Sequence, residues 1–350
     1  MKSFIANKEY LNDIQICLQS ILKFDSLKET SILVTGATGL IGSFLVDVLM
    51  IANTMWNSNI EVFALGRNKL RLQNRFFYFK EHPHLHFIEQ DITKNLLDQL
   101  PYVDYIIHAA SNAYPNVMYE KPVDTIMANV QGTYQLLNYL HEVRGKRFLF
   151  LSTGEIYGQA VSDEMCFEEN YAGYIAQLNV RSSYPLSKRL AENLCVSYSK
   201  QYGIDTVIAR LSHTYGPNNT SVDDRANAQF VENAISNHSI VLKSKGGQIR
   251  SYTYIADAIS GLLTILISGK SNEAYNVSNP SSIVSIAQFA QLVAKCGCAS
   301  IQYEFEDSRP ALFDRAVLSS RKLQALGWIP KFDICTGIQH TLRIKKWLRE

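Results

Sequence analysis

The segment SILVTGATGLIGSFLVDVL, residues 31–49, constrains the fold of this chain more than any other feature. An apolar run ends at Thr35, glycines follow at Gly36, Gly39 and Gly42, and the next apolar residues recur at helical spacing. Glycine is costly inside a regular element, so its recurrence at these offsets indicates a turn whose backbone has to be bare. A strand, a glycine turn and a helix in this order predict a site where the diphosphate of a dinucleotide approaches backbone N–H groups at a helix N-terminus.

Short apolar runs alternate with helical patterns over residues 31–211. This alternation predicts an α/β fold, with a Rossmann doubly wound parallel sheet and helices on both of its faces. We expect a dinucleotide-binding domain over residues 31–211 plus about 251–285, and a smaller substrate-binding region over 212–250 and 286–350. The stretch YTYIADAISGLLTIL is predicted to be a helix that returns to the main sheet.

Residues 1–30 precede the first predicted strand and form an N-terminal helical extension. Within them Leu11, Ile14, Leu18, Ile21 and Leu22 recur at helical spacing. This pattern predicts an amphipathic helix that packs on the dinucleotide-binding domain. A helix that binds a partner protein is the alternative.

The composition excludes several classes of protein. Lys and Arg total 34 and Asp and Glu total 32, a balance that gives no case for a nucleic-acid surface. The 6 cysteines are scattered without the Cys/His pairs of a zinc site, so we expect reduced thiols and no metal. No apolar stretch reaches ~18 residues without a charge, and the N-terminus lacks the layout of a signal peptide. We therefore expect a soluble, cytoplasmic protein that does not bind membranes.

The end of the second predicted strand leaves the identity of the dinucleotide open. Sites for NAD usually have an acidic residue there, which binds the 2′-hydroxyl of the ribose. This chain reads FALGRN, in which Arg67 follows the strand, and an arginine accommodates a 2′-phosphate. We favour NADP slightly and keep NAD as the alternative. Asp91, after the third predicted strand, is a candidate for the adenine amino group or is a simple loop residue.

Three side chains predict proton-transfer chemistry. Tyr184 and Lys188 in SSYPLSKRLAE lie one helical turn apart on one face. A tyrosine has a pKa of about 10, and an adjacent lysine ammonium stabilises its phenolate and lowers that pKa. Thr153 ends the fifth predicted strand in FLSTGEIYG, at the sheet edge where α/β folds bind ligands. A hydroxyl, a phenol and an ammonium suit the removal of a hydride from a secondary alcohol.

With these motifs in place, the chain resembles the extended short-chain dehydrogenase/reductases that modify nucleotide sugars. The matching pieces are TGATGLIG, HAAS, NVQGT, LSTGEIYG, YPLSK, ARLSHTYGP, RSYTYIAD and LGW, between about Ser31 and Trp328. The resemblance implies that Thr153, Tyr184 and Lys188 form a catalytic triad and that NAD or NADP is held tightly. It also implies a cofactor site made of Gly36, Thr38, Gly39, Leu40, Ile41, Gly42, Arg67, Asp91, Ile92, His108, Ala109, Ala110, Asn129, Tyr184 and Lys188.

Glu155 bears on which reaction the resemblance implies. Enzymes of this kind typically oxidise the sugar at C4, act on the 4-keto intermediate and return the hydride. The dehydratases that act on dTDP-glucose read T-D-E after the fifth strand, and Gly154 replaces that aspartate here. UDP-glucuronate decarboxylases and GDP-mannose dehydratases read T-S-E, which is closer. Glu155 is therefore a candidate catalytic carboxylate near C5, with a supporting role outside the chemistry as the alternative.

Arginines within family-like segments are candidates for substrate binding. TYGPNNTSVDDRANAQF resembles the loop in which the decarboxylases place an arginine, here Arg225, and Arg250 matches the arginine that meets the substrate diphosphate in many members. His213 stands where the family commonly has asparagine, so either the substrate contact is altered or the histidine simply packs in a loop. The full predicted substrate set is Ser111, Arg181, His213, Arg225, Arg250 and Arg315, the last for the nucleotide or a sugar carboxylate.

These features favour a redox-neutral NAD(P)-dependent nucleotide-sugar epimerase/dehydratase that acts through a 4-keto sugar and supplies precursors of surface polysaccharides. A UDP-glucuronate decarboxylase is the alternative reaction, and a net reductase is a further one. In another class, the chain is a non-catalytic NADP-binding sensor or scaffold. The resemblance also implies a homodimer formed through the helices predicted over residues 123–141 and 184–201.

Overall fold

A computed structural model describes residues 2–95, 100–162, 165–220, 222–305 and 313–350, so part of the predicted substrate-binding region lies outside the described residues. The strands are β1 (Ser31–Thr35), β2 (Glu61–Gly66), β3 (Leu85–Glu89), β4 (Tyr105–His108), β5 (Arg147–Thr153), β6 (Thr206–Leu211), β7 (His213–Tyr215), β8 (Ile240–Leu242), β9 (Ile249–Tyr254), β10 (Glu273–Val277), β11 (Ile283–Ser285), β12 (Ile301–Tyr303) and β13 (Arg315–Ala316). The helices are α1 (Lys8–Gln19), α2 (Leu40–Trp56), α3 (Lys69–Arg75), α4 (Pro115–Glu120), α5 (Pro122–Glu142), α6 (Ser183–Tyr202), α7 (Ala226–Ile235), α8 (Ile255–Ser268), α9 (Ile286–Gly297), α10 (Arg321–Gln324) and α11 (Ile334–Arg349). Among the described residues, no helix combines the length and the apolar character needed to cross a membrane.

The central sheet confirms the predicted doubly wound architecture. Its seven strands run parallel in the order β3-β2-β1-β4-β5-β6-β10. All residues of β1 are buried, which explains why its sequence is a continuous apolar run rather than an alternating one. The strand order reverses between β1 and β4, and ligands of such sheets bind beside this point, at the carboxyl ends of the strands.

A second, smaller sheet contains β7, β9, β11 and β13, and it differs from the sequence-based prediction at one point. Strand β9 pairs with β7, β11 and β13, whereas the sequence pattern had placed Tyr252 and Tyr254 in a helix. The prediction was wrong for the first three residues of that segment, because Tyr252 and Tyr254 pair in register with His213 and Tyr215 of β7. The rest of the segment is helical, and α8 packs against β5, β6 and β10 of the main sheet as predicted. Tyr252 also stacks on Phe289, with ring centroids 4.3 Å apart. Helix α8 begins only at Ile255.

Helix α1 confirms the predicted amphipathic helix and packs against α2, α8 and α11. Its buried face carries polar groups that are all satisfied. Tyr10 donates a hydrogen bond to Asp47 of α2 at 2.6 Å. Asp13, which is fully buried, accepts one from Tyr254 at 2.7 Å and lies 2.8 Å from His340 Nδ1. Because an unpaired buried carboxylate is costly, these contacts fix the extension on the body of the fold.

Candidate active site

The glycine turn is closed so tightly that only glycine fits at two positions. Gly36 has φ +65°, and a Cβ atom there would lie 2.8 Å from the backbone of Ala110 at the end of β4. A Cβ atom on Gly42 would lie 2.4 Å from the carbonyl oxygen of Gly36. The turn therefore packs directly against α2, whose N-terminus starts at Leu40. A bare turn at the start of a long helix fits the diphosphate of a dinucleotide such as NAD.

Residues at the ends of β2 and β3 occupy the adjoining edge. Arg67 is exposed directly after β2. Asp91 accepts hydrogen bonds from the Thr93 backbone and hydroxyl at 3.0 and 2.9 Å. Burial acts to raise the pKa of Asp91. The two bonds from Thr93 and the nearby charge of Arg67 outweigh this effect and hold the pKa below its usual value. The side chain of Ile92 packs against Gly132 of α5. A Cβ atom on Gly132 would lie 2.6 Å from the Ile92 side chain, so glycine allows the helix to come this close.

His108 at the end of β4 is fully buried and neutral. Its Nδ1 lies 2.8 Å from the hydroxyl oxygen of Thr35, which also accepts a hydrogen bond from the Ala110 amide at 3.1 Å. Its Nε2 is buried without a hydrogen-bond partner among the described residues. Burial and the nearby Lys188 place the pKa of His108 well below its ordinary value. An unpartnered polar atom between the strand ends is the feature that a bound ligand satisfies.

A chain of hydrogen bonds joins α5 to the start of α6. Ser111 donates to Asn129 at 2.8 Å, and Asn129 donates to Ser187 at 2.9 Å. Ser187 in turn donates to the carbonyl oxygen of Tyr184 at 3.0 Å. The structure thus connects the predicted residues Ser111 and Asn129 to the backbone of Tyr184 through Ser187, which the sequence analysis did not single out.

The predicted triad comes together where β5 ends and α6 begins. Tyr184, Lys188 and Glu192 share one face of α6, and Lys188 Nζ donates to the carbonyl oxygen of Leu151 at 2.7 Å. Burial lowers the pKa of Lys188 to about 7, against the opposing effect of Glu192. The Tyr184 hydroxyl is within hydrogen-bonding reach of Thr153.

The pKa of Tyr184 differs from the expectation drawn from the sequence. Burial and the carboxylate of Glu155 raise it to about 12, whereas the Thr153 hydroxyl, Arg181 and Arg225 act to lower it. The expected lowering by Lys188 is not what this structure gives. Its ammonium is bonded to the strand carbonyl, and the guanidinium groups are the cations that act on the phenol.

Glu155 and Arg181 form an ion pair beside Tyr184. Glu155 lies in the 3₁₀ turn Gly154–Tyr157, whose start is capped by the Thr153 hydroxyl. Its Oε1 accepts a hydrogen bond from Arg181 Nη2 at 2.7 Å, and both side chains are largely buried. The remaining atoms, Glu155 Oε2 and Arg181 Nη1, are buried without a hydrogen-bond partner in the described part of the chain. The pair therefore retains one acceptor and one donor for a ligand.

The other predicted substrate arginines differ in how their donors are used. Asp223 holds Arg225 through two bonds, at 2.8 and 2.6 Å, and Arg225 lies within electrostatic reach of Tyr184. Arg250 donates to the carbonyl oxygens of residues 249, 313 and 314. Arg315 donates to the carbonyl oxygen of Met165 at 2.7 Å. Arg181 and Arg225 act to lower the pKa of Tyr184. The substrate roles of all four arginines remain predictions.

His213 lies on the small sheet, beside these arginines. Its ring packs against Tyr252, with ring centroids 5.7 Å apart. Burial, together with the positive charges of Arg250 and Arg225, lowers the pKa of His213 to about 3. The imidazole is therefore neutral near pH 7.

Several supporting residues were missed by the sequence analysis. Glu192 pairs with Arg210 at 2.7 Å, and its four-residue spacing from Lys188 was a usable signal. Asp223 is two residues from Arg225, which is also a local signal. The link from Asn129 to Ser187 spans 58 residues and leaves no trace in the local sequence.

Comparison with known proteins identifies the class to which this fold and site belong. A model of the NAD dependent epimerase/dehydratase family matches residues 32–278. UDP-glucuronic acid decarboxylase 3 of Arabidopsis thaliana is 32% identical over 308 residues, which cover 88% of this chain and 86% of the relative. The chain belongs to the NAD dependent epimerase/dehydratase family, which confirms the resemblance to the extended short-chain dehydrogenase/reductases and the expectation of an enzyme.

Two solved structures share the fold over most of the chain. One is the dTDP-glucose 4,6-dehydratase DesIV from Streptomyces venezuelae with NAD and TYD bound, which matches with a TM-score of 0.79 at 23% identity and covers 91% of this chain and 98% of its own. The other is UDP-glucuronic acid 4-epimerase from Bacillus cereus in complex with UDP-glucuronic acid and NAD. It matches with a TM-score of 0.78 at 24% identity and covers 91% of this chain and 99% of its own.

Proposed function

We propose that this protein is an NAD-dependent decarboxylase of a nucleotide-linked uronic acid, with UDP-glucuronate as the substrate to test first. The observation that carries the proposal is the Glu155–Arg181 pair beside Tyr184, in which one buried donor and one buried acceptor are left for a ligand. A guanidinium N–H suits a sugar carboxylate. The similarity to UDP-glucuronic acid decarboxylases over most of the chain supports the same reaction.

The chemistry explains why an oxidation at C4 would serve a decarboxylation. A ketone at C4 places the C5 carboxylate in a β-keto acid, so loss of CO₂ leaves an enolate rather than a bare carbanion. The enolate takes up one solvent-derived proton at C5 and becomes a 4-keto pentose before the hydride returns to C4. NAD supplies the hydride acceptor at C4 and the hydride for the return step. The roles we assign to the chain are that Tyr184 takes the proton of the C4 hydroxyl, Thr153 bonds the same oxygen, and the positive charges of Arg181 and Arg225 favour the phenolate.

The residues proposed to hold the cofactor are those of the glycine turn, the His108–Ala110 segment and the triad helix. We propose NAD rather than NADP because the family is described by its NAD dependence and the two solved structures contain NAD. The sequence-based preference for NADP rested on Arg67, whose charge acts on Asp91 in this structure. Tight retention of the cofactor, a cytoplasmic location and a role in surface polysaccharides remain predictions.

The test is incubation of the purified protein, without added dinucleotide, with UDP-glucuronate and a panel of UDP-, dTDP-, GDP- and CDP-sugars. The proposal expects CO₂ and a UDP-pentose from UDP-glucuronate alone, detected by mass spectrometry. An isomer of the same mass from any sugar would instead support the epimerase. Loss of water would support a dehydratase. No turnover, with a cofactor retained through purification, would favour the sensor or scaffold.

We also propose that the protein is a homodimer. Helices α5 and α6 present apolar side chains to solvent, with Val123 at 67% and Leu190 at 53% exposure, and Leu178 before α6 is fully exposed. Exposed apolar side chains clustered on two adjacent helices are typical of an interface, and a second copy of the same face would bury them.

Substitution of one interface residue is expected to separate the dimer. Leu190→Arg places a charge in the proposed apolar interface, so the molar mass from light scattering should fall from twice to once the chain mass. Leu70→Arg is the matched control, because Leu70 is equally apolar and 70% exposed but lies on α3. A wild-type protein that is monomeric at micromolar concentration, or a Leu190→Arg variant that stays dimeric, would contradict this proposal.

A further inference from the structure

His213 occupies a position of unusual charge within the candidate site. It faces Tyr252 of β9 in register, and Arg250 lies two residues before Tyr252, so the side chains of all three start from the same face of the small sheet. Arg225, held by Asp223, lies directly before α7 and within electrostatic reach of His213. Among the described residues, no group forms a hydrogen bond with the His213 ring.

The charges around His213 are therefore mainly positive. Arg250 and Arg225 act on it directly. The negative groups of the neighbourhood, Glu155 and the carboxylate of residue 314, act on Arg250, and Asp223 is already committed to Arg225. A third positive charge is disfavoured next to two guanidinium groups until an anion arrives. A diphosphate brings two negative charges and accepts hydrogen bonds from arginine and from a protonated imidazole.

We propose that His213 is neutral in the free protein and binds the substrate diphosphate as an imidazolium, so that binding of the nucleotide sugar takes up a proton. The proposal rests on the proposed function only in taking a nucleotide sugar as the ligand, and it holds for any reaction at the sugar. The asparagine that the resembling family commonly has at this position cannot take up a proton. His213 would thus make substrate affinity depend on pH in this chain.

The direction in which substrate affinity changes with pH follows from the difference between the free and the bound pKa of His213. The pKa of His213 is about 3 in the free protein, and an adjacent diphosphate raises it. Between the free and the bound pKa values, binding takes up a proton, so affinity falls as pH rises, by at most about tenfold per pH unit. Above the bound pKa the dependence on pH disappears.

The experiment is calorimetry of UDP-glucose binding to NAD⁺-saturated protein at pH 6.5, in two buffers that differ in ionisation enthalpy. UDP-glucose is a suitable probe because its diphosphate stays fully ionised near neutral pH. Every protein carries Tyr184→Phe, so that no turnover contributes heat. His213→Asn is compared with His238→Asn, a matched change of an exposed histidine. The comparison is needed because Lys188, with a pKa of about 7, also titrates in this site.

The expected result is proton uptake by the parent protein and by His238→Asn, and clearly less uptake by His213→Asn, because the contribution of Lys188 is common to all three proteins. The Kd of the parent should rise between pH 5.5 and 7.5, and the Kd of His213→Asn should change much less. Equal proton uptake with His213→Asn, or no uptake by the parent, would overturn the inference. Uptake that depends on His213 in a protein that releases no CO₂ from UDP-glucuronate would contradict the proposed function and leave this inference intact.

Discussion

Tyr184→Phe is expected to lower kcat about 10³-fold, within the range that a single proton-transfer group contributes. The substitution removes only the hydroxyl, which lies within hydrogen-bonding reach of Thr153 and is the group proposed to take the C4 proton. The ring stays buried beside β5, and its backbone oxygen still accepts from Ser187. We therefore expect an unchanged melting temperature and undiminished retention of the cofactor, measured together with the rate of CO₂ release.

Tyr174→Phe is the matched control, because Tyr174 is 66% exposed and lies outside the triad. It should retain the parent rate. A Tyr184→Phe variant with more than a tenth of the parent rate would contradict the role assigned to this tyrosine. A variant that also lost its cofactor or its fold would show that the hydroxyl acts through structure.

Glu155→Gln is expected to lower kcat about 10²-fold or more, because it weakens the charge-assisted hydrogen bond that holds the Arg181 guanidinium in position beside Tyr184. Glutamine keeps an amide oxygen that can accept the hydrogen bond from Arg181, so the cost in unfolding free energy should be modest, about 1–2 kcal/mol. Removing the Glu155 carboxylate also removes a group that raises the pKa of Tyr184. The limb of the pH–rate profile that reports Tyr184 should therefore move to lower pH.

The control for this substitution is Asp205→Asn. Asp205 pairs with Arg147 at 2.6 Å, and this ion pair is about as buried as the Glu155–Arg181 pair. It lies at the start of β5, whereas Thr153 lies at the end of that strand. We expect Asp205→Asn to cost similar stability while kcat is kept. If Glu155→Gln also kept its kcat and its pH profile, Glu155 would be a structural residue, and the supporting role considered in the sequence analysis would be correct.

Features fixed by local backbone requirements were predictable from the sequence. The glycine turn is an example, because the contacts that exclude a side chain at Gly42 come from the carbonyl of Gly36 six positions earlier. The spacing of Tyr184 and Lys188 on one helix face is another. Both signals lie within a few residues and depend on elementary geometry.

Features that depend on distant pairing were not predictable. Tyr252 and Tyr254 join a strand because residues 213–215 lie beside them, and this pairing overrode their apparent helical pattern. The Glu155–Arg181 bond joins positions 26 residues apart, and the bond between Asp13 and His340 joins positions 327 apart. Such contacts also set the pKa of Tyr184, which is why the sequence suggested a lowered value and the structure gives a raised one.

In the proposed reaction the sugar is oxidised and reduced again at C4 within one catalytic cycle, with decarboxylation between the two steps. The most direct measurement uses UDP-glucuronate labelled with deuterium at C4, incubated with the purified protein without added dinucleotide. The account predicts CO₂ and a UDP-pentose that keeps deuterium at C4, seen by mass spectrometry and NMR. Loss of the label to solvent, or a requirement for stoichiometric added NAD⁺, would contradict it.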